Sequence, residues 1–252
     1  MPTVRQARHW LDRWDRQQEF YLADREERFS VIADLVEAAC AAEPLVVDLG
    51  VGPGSLAIRL LDRLPGARVV GIDADPLLLG LARSAYGGRP GLRLVDHDLR
   101  MPGWLDALHL DRAPDAFVST TALHWLTRDE LAELYAACGR ALQPGGVLIN
   151  GDHLHDGPAC PGLDSLTRVV RDRRAARVGI AGDEDWQAWW EAVRQAPELA
   201  DLAAMRGQHG VEHDVAAAAS FDDHLTALRR AGFAEAGTVW QHGDDRVLVA
   251  VR

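Results

Sequence analysis

A three-layer α/β fold, with one largely parallel sheet between helices, follows from three observations on this chain of 252 residues. Short apolar runs alternate with amphipathic stretches between residues 45 and 150, the rhythm of repeated strand–helix–strand units. The first run, Leu45 to Leu49, meets glycines at 50, 52 and 54 and then an amphipathic stretch from Leu56 to Leu64, so a buried strand turns sharply into a helix. Near the end, two β-prone runs flank His242-Gly243-Asp244-Asp245, a hairpin signal.

Taken in order, residues 4–22 carry Trp10, Leu11, Trp14 and Tyr21 among many charges and predict a helix with a short linker after it. A second helix spans Asp24 to Cys40, with Phe29, Ile32, Leu35 and Val36 on one face. Strands are predicted at 45–49, 68–73, 92–96, 115–120 and 146–150, and helices near 54–64, 76–86, 101–108 and 128–142. Right-handed crossovers then cover both faces of a parallel sheet. Gln143-Pro144-Gly145-Gly146 ends one helix and opens the fifth strand. From 151 to about 220 the rhythm gives way to helical pieces broken by Pro158, Pro161 and Pro197. Asp183-Glu184-Asp185 opens one of them, and Trp186, Trp189, Trp190 and Val193 follow at helical spacing. That stripe suits a core face and equally a lid over a pocket. Phe221 to Ala231 is a helix closed by Gly232, and strands at 233–241 and 246–251 add an antiparallel edge. The expected division is 1–42 helical cover, 43–150 core, 151–220 helical insert and 221–252 completion of the core.

A net charge of −11 and the lack of a dense basic tract disfavour nucleic acid as the main partner. Lysine is absent, and Arg171-Asp172-Arg173-Arg174 reads as a solvated helix face. Cys40, Cys138 and Cys160 are too few and too scattered for a disulfide framework or a zinc ribbon. No run of about 18 apolar residues marks a membrane span. A cytoplasmic protein with a small-molecule partner is expected.

The glycine turn defines the ligand. Glycines there let a ligand lie on bare backbone, and Asp73, at the end of the second strand, stands where a ribose would sit. A dinucleotide fingerprint wants glycine or alanine where Ser55 stands, and Pro53 has no N–H for a pyrophosphate. Asp48 would repel phosphate and suits an ammonium or sulfonium. S-adenosylmethionine has that character. The stretch resembles the first motif of the class I S-adenosylmethionine-dependent methyltransferases. Gly71-Ile72-Asp73-Ala74-Asp75-Pro76, Val95-Asp96-His97-Asp98-Leu99, Asp115 to Trp125, Leu142 to Leu148, and Leu228 to Phe233 resemble later motifs in the same order. The helices before the first motif resemble those of trans-aconitate-type enzymes, loosely through Trp14, Gln17, Gln18 and Arg28. The resemblance implies a Rossmann-like seven-stranded sheet whose last strand inserts antiparallel. It also implies roles. Gly50, Gly52 and Gly54 lie against the donor, and Asp48 orients the turn. Asp73 binds the ribose hydroxyls, and Ala74 packs on the adenine. Asp98 and the Leu99 backbone meet the adenine edge. Thr120 approaches the amino group, and Arg28 the carboxylate.

Acceptor chemistry is less defined. His124 after the fourth strand, and Asp152, His153 and His155 after the fifth, stand where open α/β sheets bind ligands. His124 and His153 are the candidate general bases, since histidine titrates near neutrality. A metal held by Asp152, His153, His155 and Asp156 is considered and not adopted. Ser119-Thr120-Thr121-Ala122 lacks the Pro-Pro-aromatic pattern of amide or adenine N-methylation. O-methylation of a hydroxyl or carboxyl group in specialised metabolism is the expectation. N- or C-methylation on the same fold, and a non-catalytic cofactor-binding protein, are the alternatives.

Overall fold

The structure, a computed structural model, describes residues 1–179, 184–209 and 219–252. Seven strands, β1 (Leu45–Leu49), β2 (Arg68–Asp73), β3 (Leu92–Asp96), β4 (Ala116–Thr120), β5 (Val147–His153), β6 (Glu235–His242) and β7 (Asp245–Val251), form one sheet in the order β3-β2-β1-β4-β5-β7-β6. The first five pair in parallel, and β7 runs antiparallel to both β5 and β6. The edge strand is therefore β6, which points the same way as the parallel set. The antiparallel strand lies inside the sheet, as the resemblance implies, and the edge that the hairpin adds is β6. The hairpin turn shrinks to two residues, because His242 and Asp245 pair with each other.

Alternation along the strands feeds two cores. Leu45, Val47, Leu49, Phe117 and Leu148 pack with α5 (Trp104–Ala107), α6 (Arg128–Ala141) and α10 (Phe221–Arg230). Val46, Val69, Val118, Ile149 and Val247 pack on the other face with α2 (Arg25–Ala39), α3 (Ser55–Arg63) and Leu79 of α4 (Pro76–Tyr86). The helix predicted at 101–108 shortens to four residues, since Gly103, left-handed at φ +86°, starts it after Pro102.

A third cluster lies outside α4. There α1 (Val4–Tyr21) meets α8 (Trp186–Gln195) and α9 (Ala200–His209) through Trp10, Trp14, Trp189, Trp190 and Leu202. Asp185 caps α8 by accepting the Ala188 N–H at 2.8 Å, while Asp183 lies outside the described residues. The tryptophan stripe is thus a core face, and Trp186 also reaches the cavity described below. The helix α7 (Pro161–Val178) carries the arginine run, and its Arg171 and Arg174 bind Asp244 and Asp24. They tie the helix to the body, so that side of it is not the solvated face expected. Among the described residues no helix is long and apolar enough to cross a membrane.

Candidate active site

A cavity of about 570 Å³ opens at the carboxyl ends of β1, β2, β4 and β5. The loops after those strands form its floor, and Trp14, Gln18, Tyr21 and Leu22, with Asp185, Trp186 and Gln187, form its roof. Parallel strands end here where the order of strands reverses between β1 and β4, the place where such sheets collect ligands.

Gly50 and Gly52 line the floor, and Gly54 lies just beyond as the left-handed N-cap of α3. Gly50 takes φ +72°, and a Cβ there would stand 2.3 Å from the Ala122 Cβ. The turn after β1 is therefore pressed against the loop after β4, and no side chain fits between.

Asp73 and Ala74 are on the wall. The Asp73 carboxylate accepts the N–H of Gly52 at 2.7 Å and of Asp75 at 2.8 Å. Burial raises its pKa to about 6 against the pull of those two bonds. Asp75 is spent on capping: it accepts the Leu77 and Leu78 N–H groups ahead of Pro76 and pairs with Arg206 of α9 at 2.6 Å. Asp98 and Leu99 are on the wall, and Arg100 holds the Asp98 carboxylate by its backbone and guanidinium. Burial works against the Asp98 charge, yet Arg100 keeps its pKa below the ordinary value. Asp96 is exposed on β3, away from the cavity.

Asp48 lies beneath the turn rather than on the wall, 1% exposed. Neither carboxylate oxygen has a hydrogen-bond partner among the described residues. Burial, and then the nearby charge of Asp73, raise its pKa to about 8. A buried carboxylate with no partner is costly, and a cationic ligand in the cavity would supply the missing charge. The residues present therefore fit a positively charged adenosyl compound.

Arg28 is placed elsewhere than expected. Its guanidinium is fully buried behind the wall, paired with Asp245 and bonded to the Gly151 carbonyl at 3.1 Å. The side chain crosses Gly151 so closely that a Cβ there would stand 2.6 Å from the Arg28 Cδ. Arg28 buttresses the end of β5 and does not line the cavity. One helical turn earlier, Arg25 does line it, 2.8 Å from Asp15 and stacked on Phe29. Sequence alone does not separate two arginines three positions apart on one helix. Of the loosely matched residues, Trp14 and Gln18 are on the wall, whereas Gln17 is buried off it.

Thr120, His124 and His153 are on the wall, and His155 is not. Thr121 takes φ +49°, a strained conformation for a β-branched residue, and its N–H is held by the Gly151 carbonyl at 2.9 Å. Beyond it a single helical turn, Leu123–Trp125, carries His124. The His124 Nδ1 donates to Asp152 Oδ1 at 2.9 Å, and its backbone N–H to Oδ2 at 3.2 Å. Asp152 is fully buried. Burial pushes the Asp152 pKa up, but His124 overcomes this and holds it at about 2. Burial likewise opposes a charged His124, but Asp152 lifts the histidine above its usual value. This dyad depends on β5 running to His153 rather than stopping at 150. The strand continues because β7 pairs with it as far as His153↔Asp245.

A model described as a methyltransferase domain matches residues 46–146. Over 190 residues the chain is 31% identical to the trans-aconitate 2-methyltransferase of Methylobacterium nodulans, covering 71% of this chain and 68% of that enzyme. Over 220 residues it is 30% identical to the enzyme of the same name from Paracidovorax citrulli, covering 79% and 78%. In fold it is similar to the magnesium protoporphyrin IX methyltransferase of Synechocystis PCC 6803, with a TM-score of 0.57 at 19% identity over 96% of this chain and 93% of that one. With these relatives, and the glycine turn and Asp73 standing at the cavity, the chain belongs to the class I S-adenosylmethionine-dependent methyltransferases.

Proposed function

We propose that this enzyme O-methylates an uncharged aromatic hydroxyl group, with His124 as the general base. The observation that carries this reading is the buried Asp152 carboxylate committed to His124. S-adenosylmethionine, when bound, supplies an electrophilic methyl group on a positively charged sulfur that departs as a neutral thioether. The protein's part begins with alignment, which in well-oriented reactions is worth about 7–11 kcal/mol. For the donor, Asp73 holds the ribose, Asp98 and Leu99 the adenine edge, and Arg25 rather than Arg28 the carboxylate. Asp152 fixes the Nδ1–H tautomer of His124, so Nε2 keeps the lone pair that takes the hydroxyl proton. A base of this kind contributes about 10²–10⁴-fold to the rate. A carboxylate acceptor is already ionised at neutral pH and has no proton to give, so a dyad would serve it little.

Charge separates this acceptor from trans-aconitate, a tricarboxylate. The cavity wall carries Asp73, Asp75, Asp98 and Asp185, with Arg25 and Arg100 as its guanidinium groups, and both arginines already face a carboxylate. Neither undescribed segment, 180–183 or 210–218, contains an arginine or a lysine. With both wall arginines already paired, a trianion would find little positive charge there. Trp14, Tyr21, Trp125 and Trp186 instead offer flat apolar surface for a ring.

Methyl transfer to phenols and to trans-aconitate is the test. His124→Ala should lower turnover of a phenol by about 10² or more, with affinity for S-adenosylhomocysteine retained. Methylation of trans-aconitate but of no phenol, at a rate indifferent to His124, would overturn the reading.

A further inference from the structure

Asp152, which holds His124, stands near the end of β5, where Gly151, Asp152 and His153 carry no apolar side chain. Packing alone gives this end of the strand little to fix it. Arg28 of α2 supplies the missing hold.

The Arg28 guanidinium brackets Asp152. Its Nη1 donates to the Gly151 carbonyl at 3.1 Å and to the Thr120 hydroxyl at 3.4 Å. Its Nη2 pairs with Asp245, the β7 residue that stands opposite His153 in the sheet. One planar fork therefore holds the residue before Asp152 directly, and the residue after it through its strand partner.

The same carbonyl governs the loop after β4. The Gly151 oxygen also accepts the Thr121 N–H at 2.9 Å, where the chain leaves the strand at φ +49°. From there the loop runs to Ala122, pressed against Gly50, and on to His124, bound to Asp152. The turn after β1 and the base thus share one anchoring oxygen. Stability does not account for the arrangement. Apolar residues often replace a buried ion pair without loss. The Arg28 Nε is also buried with no hydrogen-bond partner among the described residues, which is a cost in itself. The charge has a part as well: burial opposes an ionised Asp152, and His124 and then Arg28 outweigh it.

We propose that Arg28 is a positioning residue for methyl transfer: by locking Gly151 to Thr120 and Asp245, it sets where His124 stands relative to the turn after β1. The proposal rests on the reading of His124 as the general base. It assigns the role to the fork as well as the charge, since a single ammonium does not reproduce two nitrogens held in one plane.

Two variants test it. Arg28→Lys keeps a cation beside Asp245 and removes the fork. Arg28→Met combined with Asp245→Asn removes both charges together, so neither is left buried and unpaired. Methyl transfer to phenol, affinity for S-adenosylhomocysteine and the melting temperature are measured on each. Both variants should lower kcat by about tenfold or more, the scale of a reacting group moved by less than about 1 Å. Affinity for S-adenosylhomocysteine should stay within about threefold, because Asp73 and the glycine turn are untouched. In a His124→Ala background, Arg28→Lys should change the residual rate by less than about threefold, since the group it positions is gone. A folded Arg28→Lys with kcat within about threefold of the wild type, or an equal loss with and without His124, would overturn the proposal. So would a loss carried entirely by affinity for S-adenosylhomocysteine, or melting of both variants below the assay temperature, which would make Arg28 a residue of stability alone. Failure of the base reading is separate: His124→Ala by itself would keep full turnover.

Discussion

Asp48→Asn separates a carboxylate retained for a cation from one that merely shapes a turn. In the folded protein without donor, burial raises the Asp48 pKa from an ordinary 3.8 to about 8. At pH 7 the folded chain therefore holds a proton on Asp48 that the unfolded chain has released. The folded state binds more protons between these two values, so stability falls as pH rises from about 4 to about 8. At about 1.36 kcal/mol per unit, the interval from 3.8 to 7 sets a ceiling of about 4 kcal/mol withheld from the donor-free protein. Asparagine has the same shape and no proton to recruit. If half the ceiling is realised, the variant melts about 4–8 °C higher at pH 7, on the scaling for a chain of this length. The gap should close toward pH 5. Affinity for S-adenosylmethionine should fall by about tenfold or more, the loss of one charged partner. Circular-dichroism melts at pH 5, 6, 7 and 8, with and without donor, measure both effects. A variant that melts lower than the wild type at every pH, or whose advantage does not vary with pH, would falsify the assignment.

Three further outcomes are expected. Turnover of a phenol should rise with pH as His124 loses its proton, with a midpoint above the ordinary histidine value of about 6.5; in Asp152→Asn the midpoint should move down and kcat should drop, as pH–rate profiles would record. Asp73→Ala should weaken donor binding by about tenfold or more, since a charged hydrogen bond is worth about 1.5–3 kcal/mol, and calorimetry with S-adenosylhomocysteine reads it directly. Gly50→Ala should abolish donor binding or folding, because the new methyl group meets Ala122 at 2.3 Å on a backbone at φ +72°; Ala122→Gly should not rescue it, as the backbone strain persists.

The core of the sheet was legible because its signals are local. Leu45–Leu49 and Arg68–Asp73 are largely apolar runs with an acid at the penultimate or last position, and their bounds match the strands found. The meeting of Gly50, Gly52, Asp73 and Ala74 at one cavity was legible for the same reason: they fall within two turns that strand order must bring together. The contacts among the residues proposed for the acceptor site were less so. Asp152 and His124 are 28 positions apart and meet because β4 and β5 are neighbours, a fact that residue spacing does not carry. The end of β5 was missed because its last residues, Gly151 to His153, are polar or small and are held by β7, nearly a hundred positions later. Arg28 was misplaced because its partner, Asp245, lies 217 positions away.

The helices α1 and α8, which roof the cavity, contain five of the eight tryptophans, and neighbouring rings among them stand 4.9 to 6.4 Å apart. Trp14 of α1 and Trp186 of α8 face each other at 5.4 Å across the roof. Such closely spaced indoles quench and couple with one another, so the protein carries its own optical gauge. Any parting of α1 from α8 as ligands enter or leave would alter intrinsic emission, and stopped-flow fluorescence could time that event without a dye.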